Sequence, residues 1–387
     1  MTAFQKLVVG GALAVAVGTG IYQAYQISRL REELADARRQ MAGLTDQAGQ
    51  LQQERDDALK RLSARARVPA PTLPTPQIKL VVETNAPQDL QTNLYGRFMD
   101  KCPQLNAAQV AAFLKANGTN SGSLLAAFRT SKDPALLREA MEKYPNDPEV
   151  AFEAVMDGKL SPDEQRQWLT TFEHDDPGNA LANYLSAMNY FNAGQIDQGI
   201  QDLSAAAGKH FDDYSMDRVQ NDGEAYASAG YSTAEAQTIA AESLVLPQEG
   251  QIKQLGVDLV SLANAYSQSG DQASAQATLQ MAMNLGQNTI DQSSDPFLIN
   301  ELVGMAVQKL ALNAMDPNSI YGNSGQTAQQ QLDELAQERA NIKTLVNETQ
   351  PILPTLSDQQ MLDYQNRKLM FGEVAALQWV AGKYEPH

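Results

Sequence analysis

The chain has 387 residues, a formal net charge of −17 and a hydrophobic content of 43%. That length holds one large or two ordinary domains plus appendages, and that hydrophobic share permits a packed core. The negative field repels phosphate, which argues against nucleic acid as a partner; the single cysteine, Cys102, rules out an intramolecular disulfide and a multi-cysteine zinc site.

Residues 7–22 read LVVGGALAVAVGTGIY without a charge, and the apolar stretch extends to Ile27 if Gln23 and Gln26 sit in the interface. About 20 such residues cross a bilayer core. Residues 1–26 are therefore expected to form a transmembrane anchor, with membrane contact through residues 7–27. A cleaved signal peptide is the rival, but cutting near Ala14 or Ala16 would leave half of the apolar run on the mature chain. Small residues recur every four positions at Gly10, Ala14 and Gly18, a spacing that lets membrane helices approach closely. The topology signals conflict. Arg29, Arg31, Arg38 and Arg39 outnumber Lys6, yet the short positive N-terminal tail is typical of an anchor with its N-terminus inside. The expectation is a single pass of a bacterial inner membrane with the large domain in the periplasm.

Residues 27–66 carry a 3-4 apolar spacing through Ile27, Leu30, Leu34, Ala37, Met41, Leu44, Ala48, Leu51, Ala58 and Leu62, with Arg55 intruding. Such a seam predicts a coiled coil. Leu30, Leu34, Met41, Leu44 and Leu51 are the candidate oligomerisation residues, and a homo-oligomer is the expected state. A lone amphipathic helix is the alternative. The stretches FQKLVVGGALAVAVGTGIYQAYQISRLREEL and QLQQERDDALKRL together resemble an N-terminal cassette of proteins from the Verrucomicrobia. That resemblance implies an uncleaved tether and covers only the first 65 or so residues. Pro69, Pro71, Pro74 and Pro76 then stop the helix, so residues 67–77 are expected to be a semi-rigid spacer.

Residues 78–83 (IKLVVE) form the one strand-like run. Thereafter the chain reads as helices of 10 to 20 residues broken by Asp, Asn, Gly and Pro. Two segments share internal landmarks. In one, Leu262, Ala263 and Tyr266 precede a turn at Gly270-Asp271, and Ala275, Leu279 and Ala282 follow. In the other, Ala187 and Tyr190 precede Gly194, and Gly199, Leu203 and Ala206 follow. This pattern resembles the tetratricopeptide repeat, with looser copies around Tyr144-Pro145 and Tyr226-Gly230. Asn183 and Leu259 stand where that family has a large aromatic, which leaves a divergent helical-repeat family open. The resemblance implies an α-solenoid of helix pairs over residues 78–290. Residues 291–387 are expected to form a helical cap: an apolar helix over 297–314, a polar one over 327–349, and a near-helical spacing over 356–382. The fold class is thus all-α.

No chemistry stands out. The histidines, His174, His210 and His387, lack metal-ligand spacing, and there is no phosphate loop or nucleophile elbow. No catalytic residue, cofactor or metal is expected. The family's geometry implies a groove lined by Tyr184, Met188, Phe191 and Asn192 in one unit and by Asn264, Ser267 and Gln268 in the other. Such a surface suits an extended protein or peptide partner, although Met188 and Phe191 also fit a core role. The leading expectation is a membrane-tethered protein-binding or assembly scaffold. The alternatives are a self-assembling spacer protein of the cell envelope and a hydrolase or lyase on a helical toroid.

Overall fold

The computed structural model describes residues 94–98, 102–291, 297–320 and 325–384. The expected anchor, coiled coil, proline spacer, strand-like run and His387 lie outside the described residues. The described residues, from Leu94 to Tyr384, belong to one compact unit. Among the described residues every regular element is a helix, and the only β pairing is two isolated bridges, Asn179 with His210 and Ile320 with Thr327. The all-α expectation holds for this unit. No helix among the described residues is long and apolar enough to cross a membrane.

In chain order the helices are α1 (Leu94–Phe98), α2 (Ala107–Asn117), α3 (Ser121–Ser131), α4 (Pro134–Lys143), α5 (Pro148–Asp157), α6 (Pro162–Asp175), α7 (Ala180–Asn192) and α8 (Ile196–Ala205). They continue with α9 (Ser215–Ser228), α10 (Thr233–Ser243), α11 (Pro247–Gln268), α12 (Gln272–Asp291), α13 (Leu298–Asn313), α14 (Ala328–Thr349), α15 (Asp358–Phe371) and α16 (Glu373–Lys383). Local chemistry sets these starts. Asp133, Asp147 and Ser161 cap α4, α5 and α6, and each precedes a proline whose missing N–H is harmless in a first turn. Reciprocal capping boxes, in which the cap side chain and the third helical residue satisfy each other's backbone N–H, open α2, α6, α10, α14 and α15. The turns expected at Gly194 and Gly270 occur there, with φ of 72° and 86°, a region that side chains disfavour.

Neighbouring helices pack as pairs: α3 with α4, α5 with α6, α7 with α8, α9 with α10, and α11 with α12. Gly199 marks the α7–α8 crossing, because a Cβ there would stand 3.1 Å from the Ala187 carbonyl oxygen and meet the Phe191 ring. The later pairs then return across the earlier ones. Helix α9 lies against α3, α11 against α7, and α10 against α15. This differs from a stack in which each pair touches only the next. The interior shows the consequence. Residues 180–187 are all buried, so the first two turns of α7 are enclosed on every side.

Among the described residues, three apolar clusters form the interior. One, around Phe152, Phe172, Leu181, Leu259 and Val307, joins α5 to α8 with α11 to α13. A second, around Phe113, Tyr226, Ile239, Met361 and Val380, joins α1, α2, α9 and α10 with the C-terminal helices, so the packing runs continuously across position 290. A small third cluster holds α3, α4 and α5. The apolar helix expected over 297–314 is α13, buried at Val303, Met305, Val307 and Ala311. The polar helix expected over 327–349 is α14, capped by Thr327. Gly372 divides the third C-terminal segment into α15 and α16.

Candidate functional site

The sequence-derived site residues lie in different environments. Tyr184 is buried, Met188 and Phe191 are half-buried against the apolar cluster of α7, and Asn192 is exposed. Asn264, Ser267 and Gln268 are exposed near the C-terminus of α11, where Ser267 exchanges hydrogen bonds with Gln272 across the turn. Of these residues only Tyr184 lines a cavity described below.

That cavity is an open groove of about 410 Å³ where α7, the end of α8 and α12 meet. Tyr184, Ala206, Ala207, Gly208, Asn284, Gln287 and Asn288 line it. The Asn288 amide donates to the Tyr184 hydroxyl at 2.9 Å, which fixes both groups at the groove wall. Burial pushes the Tyr184 phenol up to about 12, so it stays protonated. No lining side chain is charged at neutral pH, and the amides offer both donors and acceptors. Such a wall suits main-chain amides better than it suits an ion. The sequence contained a signal for it: Gln280, Asn284 and Gln287 recur at helical spacing along α12, on the side opposite Leu279 and Ala282.

A different chemistry sits where α3, α5 and α9 converge. Arg129 bonds to Asp222 at 2.9 Å, Glu153 at 2.9 Å and Glu149 at 3.1 Å, and Arg218 approaches Glu153 at 3.2 Å. Arg218 also donates to the Val245 carbonyl at 3.0 Å. Burial works against the Arg129 charge, but the three carboxylates outweigh it and raise its pKa. A cavity of about 290 Å³ adjoins these groups, walled also by Phe128, Met156 and Leu244. Arg129 Nη2 and Arg218 Nη1 have no hydrogen-bond partner among the described residues. Room for water beside them is the simplest account of both.

A third cavity, about 300 Å³, lies between α1, α10 and the C-terminal helices. It gathers Tyr95, Glu242, Tyr364, Lys368 and Glu373 with apolar Leu298, Val346, Leu353 and Leu377. Asp176 accepts from the Tyr214 hydroxyl at 2.7 Å and from Asn179 at 3.1 Å, which ties α6 to the start of α9. His174 is exposed beside Asp175. Cys102 is half-buried, and its thiol reaches the Phe98 carbonyl at 3.4 Å.

No family model matches the chain, and no curated protein or solved structure matches it either.

Proposed function

We propose that the protein is a membrane-tethered scaffold, without catalytic activity, that binds an extended segment of a protein or peptide partner. The observation that carries this reading is the neutral, amide-lined groove beside Tyr184 and Asn288. Extended peptides offer alternating carbonyl and amide groups, and side-chain amides match both without a charge. Helix pairs with a small residue at the crossing, as at Gly199, support repeated helix pairs of the tetratricopeptide type, here folded back on one another instead of stacked in one line, with α13 to α16 at the C-terminal end.

The rest of the proposal comes from the sequence. Residues 7–27 tether the chain to a bacterial inner membrane, and the seam through Leu30, Leu34, Met41, Leu44 and Leu51 pairs copies of it. The helical unit then stands in the periplasm. Pairing would present two grooves from one tether and raise avidity without new contacts.

Photocrosslinking tests this. A crosslinking amino acid at Gln287 in the full chain is expected to capture a discrete partner from native membranes. The same probe at Lys343, on an exposed stretch of α14, is expected to capture none. Identical products from the two positions, or none from Gln287, would sink the proposed groove.

A further inference from the structure

The third cavity is lined by two carboxyl groups, Glu242 and Glu373, and one ammonium, Lys368. Glu373 is already satisfied: Lys368 Nζ lies 3.3 Å from its Oε1, and the Leu298 backbone N–H donates to its Oε2 at 3.0 Å. Lys368 is itself buried, with its ammonium 4.6 Å from the centre of the Phe297 ring. These two charges cancel and are held in place by their neighbours. Glu242 faces the same cavity from α10 and forms no salt bridge among the described residues. Burial raises its pKa, and so does Glu373, with only partial relief from Lys368 and Gln365. Tyr95 and Tyr364 respond in the same sense, each raised first by burial and then by both carboxylates. The cavity is thus lined by one more carboxyl group than ammonium, and the raised pKa marks the ionised form of Glu242 as the one short of a counter-charge there.

The surroundings of that carboxylate select the counter-charge. Leu298, Val346, Leu353 and Leu377 give the cavity an apolar wall, and exposed Gln350 lies at its edge. A hydrated metal ion would gain little from that wall. A small ammonium group on an aliphatic stem fits it: the stem packs on the leucines, the ammonium reaches Glu242, and phenolic oxygens can accept its other protons.

We infer that the cavity between α1, α10, α15 and α16 is a binding site for a primary alkylammonium group, with Glu242 as its counter-ion. This inference does not rest on the peptide groove, which lies elsewhere in the unit and uses uncharged groups. The ammonium has two conceivable sources, a free alkylamine or a lysine side chain of a partner protein.

Calorimetric titration of the full chain in detergent with n-pentylamine tests the site, with n-pentanol and pentanoate as neutral and anionic controls. Saturable one-to-one binding of the amine alone is expected. Glu242→Gln, which preserves shape and removes the charge, is expected to weaken it on the order of tenfold or more. Retained affinity in Glu242→Gln, equal binding of pentanol, or no saturable binding of pentylamine overturns the site. Thermal unfolding of the variant checks that it is folded. If it is not, Glu242→Asp serves instead, and unchanged amine affinity in that variant likewise overturns the site. Titration with Nα-acetyl-lysine methylamide separates the sources: tighter binding than pentylamine assigns a partner's lysine, and weaker binding assigns a free amine.

Discussion

Helix α9 and helix α11 both return across earlier helix pairs, but the groups that join them differ. Helix α9 shares an apolar cluster with α3 through Ala126, Ala127, Val219 and Ala225 and adds buried ions, with Arg129 bridging Asp222, Glu149 and Glu153. Helix α11 meets α7, α12 and α13 through Leu255, Leu259, Val303 and Val307, and Gly256 lies so close to Val307 that a Cβ there would stand 2.8 Å from its side chain. Backbones come close between α12 and α13, where a Cβ on Gly286 would stand 2.6 Å from the Gly304 carbonyl oxygen. Apolar contact is forgiving of register and strong per unit area. A buried ion pair adds little net stability, yet a wrong partner leaves its charge uncompensated. The contrast assigns specificity of docking to the α3–α5–α9 junction and bulk stability to the α7–α11–α13 junction.

The largest expected effect comes from breaking the ionic junction on one side. Arg129→Ala leaves Asp222, Glu149 and Glu153 buried without their main counter-charge and should cost about 3–5 kcal/mol in urea unfolding. Because the pairs are buried, added salt should barely change that loss. A loss below about 1 kcal/mol, or one that 0.5 M salt removes, would place these groups in water instead.

Leu259→Ala probes the apolar junction. Leu259 is fully buried, and its truncation should cost about 2–5 kcal/mol, through lost transfer energy and the cavity left behind. If both variants are additive in the double mutant, the two junctions are independent; a coupling energy above about 0.5 kcal/mol would show that α9 and α11 dock together.

A smaller, pH-dependent effect arises at Glu249, at the start of α11 and facing Asp213. Both of its carboxylate oxygens lack a hydrogen-bond partner among the described residues. Burial, and then Asp213, push its pKa from 4.5 up to about 8. A raised carboxyl pKa means that the folded chain holds the proton more tightly than the unfolded chain. Its stabilising contribution is complete below about pH 4.5 and is lost as pH rises through about 8. The unfolding midpoint should therefore decrease progressively from about pH 4.5 to about pH 8, and Glu249→Gln should flatten that slope. An unchanged slope in the variant would remove Glu249 as its cause.

Much of the local structure was legible in the residues. Breaks at Asp, Asn, Gly and Pro announced a succession of helices, Gly194 and Gly270 announced turns, and the apolar run from 297 announced a buried helix. The groove was only partly legible. Tyr184 was visible as an aromatic on a first helix, but its partners Asn284, Gln287 and Asn288 lie about one hundred residues away on α12, and sequence spacing carries no information about that distance. The same holds for Glu242, whose cavity includes Tyr95, Tyr364 and Glu373 from both ends of the unit.

The sequence by itself determined the helical class, the turns at Gly194 and Gly270 and the pairing of the helices on either side of them, because caps, prolines, glycines and apolar periodicity act over a few residues. Only the tertiary structure decided that α9 and α11 fold back onto α3 and α7, that Arg129 is neutralised from three directions, and that Glu242 is not. Those outcomes depend on which buried surfaces meet across tens to more than a hundred residues of chain, and desolvation makes each such meeting selective for charge as well as for shape.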